Sequence, residues 1–433
     1  VSMHIHLCMA ALRTGRPVKM MYDRAESFVG HVHRHPARMW YRHEADRTGQ
    51  RVKVEARLIL DGGAYESSSN AVIANAAYFS VGPYKCDNVF VDAVAVKTNN
   101  PPSGAMRGFG GVQTAFGHEA QMDRLAAKLD IDPLEFRRIN ALGQGDPMNS
   151  SGQIIEGSLP TAEVIDELAA MPLVEPLDSS DPRHLPGGTG LTTETSHVRR
   201  GVGYGVTIKN LAFSEAFDDY SDVRIVINPV GVEVYTAAAE VGQGMITIIQ
   251  QLAREVLQME QVAVVWTDTG SIGSAGSTSA SRQTQMTGGA TYQCAVELRQ
   301  QLLDEFDGDD LSADGVWRDG ELIVTLDEVC ELQAREHEIR FRHPETFATD
   351  ENGQGDPHPA FAVAAHRAVV DVDPELGLVR VVQIDAAHDV GKLLNPVAAL
   401  GQIEGGTMQG VGLAVLEELV LDKGVIKNAN FTL

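Results

Sequence analysis

The chain has 433 residues, a length that on its own suggests about three domains, and its 43% hydrophobic and 22% charged residues are the balance of an ordinary globular protein. Thirty-five basic against 59 acidic residues leave a formal charge of -24 at pH 7, which excludes a sequence-independent electrostatic hold on nucleic acid or on an anionic membrane. No apolar run approaches the roughly 18 residues of a membrane-spanning helix, and the first residues lack the basic, apolar, small-residue order of a secretory signal, so a cytoplasmic protein is expected.

In chain order, Met3 to Leu12 reads as a helix, with Ile5, Cys8, Met9 and Leu12 at i, i+3, i+4, i+7. Val1 is no start methionine, so the sequence reads as a piece of a longer chain. Gly15 and Pro17 stop the helix, and Val18 to Arg24, VKMMYDR, reads as a short strand. His31, His33 and His35 follow at a spacing of two. On a strand they would share a face, as metal ligands do, but no carboxylate or Cys partner stands with them and no metal is assigned there. Cys8, Cys86, Cys294 and Cys330 lie far apart with no CxxC pair. No zinc site or iron–sulfur cluster is written locally, and free core thiols are expected.

Arg51 to Leu60 and Val89 to Lys97 alternate as strands, and Pro101-Pro102 stiffens the entry into Ser103 to Gln113, SGAMRGFGGVQ. Gly104, Gly108, Gly110 and Gly111 let this backbone lie against another body. Arg107 brings a planar fork of donors suited to an oxygen-rich anion, and Phe109 brings a flat face for a planar ring. The alternative is a glycine-rich turn with one buried Phe and one surface Arg. Met122, Leu125, Ala126 and Leu129 then form a helical stripe, and Asp132-Pro133 starts a further helix by the N-cap and N1-proline rule. The polar run Gly143 to Gly157 marks a boundary, giving domains 1–150 and 151–433, the second with an exposed loop at about 176–200.

Beyond that loop, VRIVI and VEVYT (Val223 to Thr236) read as a hairpin that runs into Gly242, Gln243 and Gly244. These open a helix with the stripe Ile249, Leu252, Ala253 and Val256. A glycine loop between strand and helix can hold an anion on bare N–H groups, and the Gln243 amide can meet a ring edge or cap its own turn. After the strand Val262 to Trp266, a run poor in apolar residues carries Thr278, Ser279, Ala280 and Ser281. It either directs hydroxyl and backbone donors at a polar ligand or is a serine-rich linker. AVVDVDPELGLVRVVQID reads as a second hairpin. Gly401, Gly405, Gly406 and Gly410 then fall at helical spacing and leave a groove, from which Gln402 points, for a ligand or another helix.

Four stretches, GAMRGFGGVQ, AEVGQG, GSTSASRQT and GQIEGGTMQGVGL, resemble in the same order the loops of the molybdenum hydroxylases, the xanthine dehydrogenase and aldehyde oxidase family. The resemblance spans nearly the whole chain and implies an α+β protein of two mixed domains with the cofactor between them. That cofactor would be a molybdenum cofactor, as molybdopterin or its cytosine dinucleotide, with the metal held through the pterin. Met106, Arg107, Gly108, Gly242, Gln243, Gly244, Thr278, Ser279, Ala280, Ser281 and Gln402 are its expected contacts, and Phe109 would stack on substrate. Iron–sulfur and FAD centres are expected on partner subunits, and the general-base Glu of the family beyond Leu433. A purine, xanthine or hypoxanthine, is the expected substrate, oxidised with water-derived oxygen. Asn75 stands where the family's xanthine enzymes carry a substrate-binding Arg, which keeps an aldehyde or another N-heterocycle as the alternative. The base and the FGG segment of relatives are missing from these residues, which keeps a catalytically silent cofactor-binding protein as the alternative from another class.

Overall fold

A computed structural model describes residues 2–175, 181–190, 193–228, 231–266, 270–279, 281–332 and 334–430. The chain forms two compact units: Val1–Lys209 with Val363–Asp389 and Ile403–Leu433, and Asn210–Ala362 with Val390–Gln402.

The first unit opens on α1 (Ser2–Thr14), the helix its periodicity predicts, but Ile5, Met9 and Leu12 on its stripe are exposed. The strand expected at Val18–Arg24 does not form. Residues 17–23 carry no regular structure, and α2 (Arg24–Gly30) follows. The cause is a capping box: the Asp23 carboxylate accepts the Glu26 N–H at 2.8 Å, and Glu26 accepts the Asp23 N–H at 2.9 Å. The three histidines are not on a strand either. The His33 ring bonds the Phe28 carbonyl at 2.6 Å and the His35 ring the Ser69 hydroxyl at 2.9 Å. Among the described residues no group of three or more His, Cys, Asp or Glu is placed to hold a metal ion.

The first sheet runs β1 (Ala37–Ala45), β2 (Arg51–Gly63) and β3 (Val89–Lys97), in that order. β1 and β2 are antiparallel; β2 and β3 are parallel, so a crossover must join them, and α3 (Ser69–Tyr78) supplies it. Alternation in β2 buries Ala56, Leu58 and Leu60 against Val72 and Ala76 of α3. α4 (Gly111–Leu129) follows the glycine loop. α5 (Pro133–Ile139) starts where Asp132 accepts the N–H groups of Leu134 and Glu135 at 2.9 and 3.0 Å. After α6 (Thr161–Ala170), β4 (Arg199–Asn210) ends this passage. Residues 176–180 and 191–192 of the expected loop lie outside the described residues; Pro182–His184 and Thr195–His197 form single 3-10 turns.

A buried cluster fastens β4. The Glu119 carboxylate accepts the Tyr84 hydroxyl at 2.6 Å, the Arg137 Nε at 2.8 Å and the Val206 N–H at 3.0 Å. Burial pushes the Glu119 carboxyl up, but the Arg137 guanidinium and the His118 and Tyr84 bonds outweigh it and hold it at about 2.

The second unit is built on the sheet β11-β5-β6-β7: β5 (Tyr220–Asn228), β6 (Gly231–Thr236), β7 (Val262–Val265) and β11 (Arg335–Arg342). β5 and β6 are the expected antiparallel pair, and α7 (Met245–Leu257) makes the parallel crossover to β7. α8 (Gln283–Phe306) begins ahead of Gly289 and lies with α7 over one core, in which Val223, Ile225, Val234, Ile249, Ala253, Cys294 and Leu298 are fully buried. A small sheet, β8 (Asp310–Leu311), β9 (Gly315–Arg318) and β10 (Glu321–Thr325), and α9 (Leu326–Leu332) precede β11.

The chain then returns through the expected hairpin, β12 (Phe361–Asp373) and β13 (Leu378–His388), which extends the sheet β13-β12-β4. α10 (Pro396–Val415) and a short pair, β14 (Leu421–Asp422) and β15 (Val425–Ile426), end the described chain. Cys86, Cys294 and Cys330 are buried free thiols, whereas Cys8 is exposed. No described helix is long and apolar enough to cross a membrane.

Candidate functional site

The predicted loop residues gather in each unit, Met106 to Phe109 in the first and Gly242 to Gly244 beside Thr278 in the second. In the first, the loop before α4 is two overlapping tight turns: Phe109 N–H donates to Met106 at 2.8 Å and Gly111 N–H to Gly108 at 3.0 Å. Gly108, Phe109 and Gly110 all have positive φ, at 93, 45 and 93°. Glycine is required at Gly110, because a Cβ there would stand 2.5 Å from the Val72 carbonyl and 2.9 Å from the Ala76 nitrogen. The loop therefore rests on the backbone of α3. Phe109 is half-buried and packs on the core between β2 and α3, so part of its ring is already committed to the fold.

Arg107 is exposed, and its guanidinium reaches α10. Its Nη1 is 3.5 Å from the place of a Cβ on Gly405, and its Cζ 3.4 Å from that of Gly406. The glycine groove thus receives a cation from the chain's own loop. Met106 and Gly108 are half-buried beside it.

Asn75 is buried on α3, and its carbonyl accepts the Lys209 ammonium at 2.5 Å, which also stands 4.8 Å from the centre of the Phe79 ring. Burial brings Lys209 down to about 7. Sequence reading passed over this lysine. Its one signal was a cation closing the alternating strand GVTIK.

In the second unit, Gly242 and Gly244 have φ of 104 and 86°, and nothing lies within 4 Å of a Cβ at either. The turn is organised by Glu240. Its carboxylate accepts N–H groups from Gly242 at 2.7 Å, Gly244 at 3.1 Å and Ile246 at 3.1 Å. The start of α7 does hold an anion, as its bare N–H groups and dipole favour, and that anion is the chain's own side chain. Burial alone would raise the Glu240 carboxyl, but the Ile246, Gly244 and Gly242 N–H groups outweigh it and lower it. Gln243 turns inward: its oxygen accepts Val241 N–H at 2.7 Å and its nitrogen donates to Ala239 at 2.8 Å. One donor and one lone pair of the amide remain for another partner.

The serine-bearing loop lies beside this turn, because the Ala239 N–H donates to the Thr278 hydroxyl at 3.0 Å. Ser279 and Ser281 are exposed, and Ala280 lies outside the described residues. The loop owes its shape to Arg282, whose side chain is wholly buried. It pairs with Asp219 at 2.5 Å and donates to the carbonyls of Ala275 at 2.8 Å and Ser277 at 2.7 Å. A stretch too polar for a core is thereby held from beneath, which a free linker would not be. Gln402 is exposed on α10. The exposed hydroxyls, a half-engaged amide and open space above two glycines form a donor set suited to a planar, oxygen- and nitrogen-rich ligand.

Residues 1–141 and residues 189–432 each match a family described as a molybdopterin cofactor-binding domain. The chain is 28% identical over 436 residues to a probable xanthine dehydrogenase subunit of Bacillus subtilis, covering 97% of this chain and 55% of that protein. It is 27% identical over 434 residues to the nicotine 6-hydroxylase large subunit of Paenarthrobacter nicotinovorans, covering 94% and 52%. Its fold is similar to that of the aldehyde oxidoreductase from Desulfovibrio gigas, with a TM-score of 0.77 at 27% identity over 96% of this chain and 43% of the other. The chain spans about half the length of the curated relatives it matches.

Proposed function

From the premise that this chain belongs to the molybdenum hydroxylase family, as its molybdopterin cofactor-binding domains, we propose that it is the cofactor-bearing part of an enzyme oxidising a purine, xanthine or hypoxanthine. The observation that carries this reading is the joined pair of loops in the second unit, Glu240–Gly244 and residues 276–279. They offer an amide, hydroxyl groups and open glycine backbone together, and this set fits the polar edge of a pterin. When bound, the molybdenum cofactor supplies the centre that takes electrons from the substrate and delivers water-derived oxygen to it.

The chain's own residues bind and orient. Gln243, Thr278, Ser279, Ser281 and Gln402 offer hydrogen bonds to the cofactor. Gly242 and Gly244 leave it room. In the first unit the Arg107 fork, backed by Gly405 and Gly406, is by itself suited to an oxygen-rich anion. The uncommitted part of the Phe109 ring gives the substrate a stacking face. In this proposal the two cofactor-binding domains are 1–150 and 151–433, a division supported by the family matches at 1–141 and 189–432, while the compact units of the fold cross that boundary.

Iron–sulfur and FAD centres belong to partner subunits in this proposal, and the protein works in the cytoplasm. Support for partners comes from relatives that are themselves named as single subunits of larger enzymes. The reading of an aldehyde or another N-heterocycle as substrate is favoured by Asn75, whose neutral amide is already bonded to Lys209. Elemental analysis of the purified enzyme tests the cofactor, with about one molybdenum per chain expected. Comparing turnover of xanthine, an aldehyde and nicotinate then separates the substrate classes. An enzyme with molybdenum but no purine turnover leaves the family and removes the purine.

A further inference from the structure

His366 on β12 and His388 on β13 lie on the same face of the hairpin, since His366 is opposite Ala386 and His388 opposite Ala364. Their Nε2 atoms approach to 3.3 Å, with the rings nearly perpendicular at 83°. The same His366 nitrogen lies 3.3 Å from the Thr407 hydroxyl on α10. As hydrogen bonds these contacts are poor. Both are longer than the usual 2.7–3.2 Å, and Nε2 of His366 has one proton or one lone pair to divide between two partners, whichever tautomer it holds.

The spacing suits a different partner. Two ligand atoms about 2.05 Å from a tetrahedral metal ion stand about 3.3 Å apart. We propose that His366 and His388, with Thr407 as a weaker third donor, chelate a borderline divalent transition ion, Zn2+ foremost, with solvent completing the shell. All three side chains are half-buried, neither sealed off nor splayed into solvent. Imidazole nitrogens select such ions over Mg2+ or Ca2+, which prefer carboxylate and carbonyl oxygens. Thr407 follows Gly406 directly, the residue on which Arg107 rests, so the ion staples the hairpin to the helix that backs the Arg107 fork.

The test is a calorimetric titration of the metal-stripped protein with zinc chloride, with magnesium chloride as the control. One Zn2+ per chain is expected at this site, with no magnesium uptake. His366→Gln and His388→Gln should each weaken it more than about 100-fold, beyond what loss of an outer-shell partner costs, and Thr407→Val only severalfold. Because ligand binding to the folded state raises its unfolding temperature, Zn2+ should raise that of the parent and leave both histidine variants unmoved. If the histidine variants fail to fold, the parent's thermal shift and the Thr407→Val affinity still decide. The proposal is overturned by the absence of one-to-one Zn2+ uptake, by uptake that survives both histidine substitutions, or by a parent whose unfolding temperature ignores the ion.

Discussion

The guanidinium carbon of Arg107 stands 3.4 Å from the point where a Cβ on Gly406 would lie. That is ordinary contact, so a methyl group fits and a branched side chain does not. Gly406→Ala should keep Arg107 in place and gain up to about 1 kcal/mol from helix propensity. Gly406→Leu should push the fork aside and lower molybdenum content. Thermal unfolding and elemental analysis of the two variants check this pair of opposite outcomes.

Glu240 supplies a pH-dependent hold on its turn. Its folded-state pKa is depressed, so the stabilisation is fully present above the ordinary Glu value of 4.5 and is lost as pH falls through the lower folded value. Glu240→Gln removes that dependence and costs about 1 kcal/mol at neutral pH, a modest figure because the carboxylate is partly exposed. Amide hydrogen exchange at Gly242, Gly244 and Ile246 should quicken in the variant. Unchanged protection would show that the turn stands without the carboxylate.

Arg282 and Asp219 are both buried, so removing one leaves an uncompensated charge. Arg282→Met should cost about 3–5 kcal/mol. A more local sign should accompany it: proteolytic cutting in residues 274–279, whose carbonyls at Ala275 and Ser277 have lost their donor. Arg282→Lys should not restore protection, since a single ammonium cannot replace the fork.

Phe109 and Gln243 should separate substrate from cofactor. Phe109→Ala is expected to keep molybdenum and to slow purine turnover about three- to tenfold, the worth of stacking beyond area burial. Gln243→Ala strips two bonds from its own turn and, in the proposed role, one partner from the pterin, so molybdenum content should fall. Loss of metal in the Phe109 variant with retention in the Gln243 variant would reverse the assignment.

Much of this was legible from local pattern. The alternation of VKVEARLIL, the Asp132-Pro133 start and both hairpins obey short-range rules, and each formed where expected. VKMMYDR misled because it is a short, largely apolar run following a helix stop, while Asp23 near its end and Glu26 just beyond it, three apart, carried the stronger signal for a helix. Arg107 on Gly405 and Gly406, or Lys209 on Asn75, joins residues far apart in sequence, and no periodicity records such a meeting. Glu240 stands in AEVGQG beside glycines that mark a turn, and nothing in that spacing distinguishes a carboxylate folded onto the turn from one in solvent.

The first unit is assembled from three separate lengths of chain, Val1–Lys209, Val363–Asp389 and Ile403–Leu433. During synthesis β4 therefore leaves the ribosome well before β12, the neighbour that completes its sheet. An unpaired strand edge at that stage invites pairing with another nascent chain. The bond from Val206 to the buried Glu119 gives β4 an anchor made only of residues already synthesised, so the strand can be parked before its neighbour arrives. Production of the Glu119→Gln protein should then show aggregation on the ribosome together with a less stable finished fold, because the buried Arg137 loses its charged partner as well.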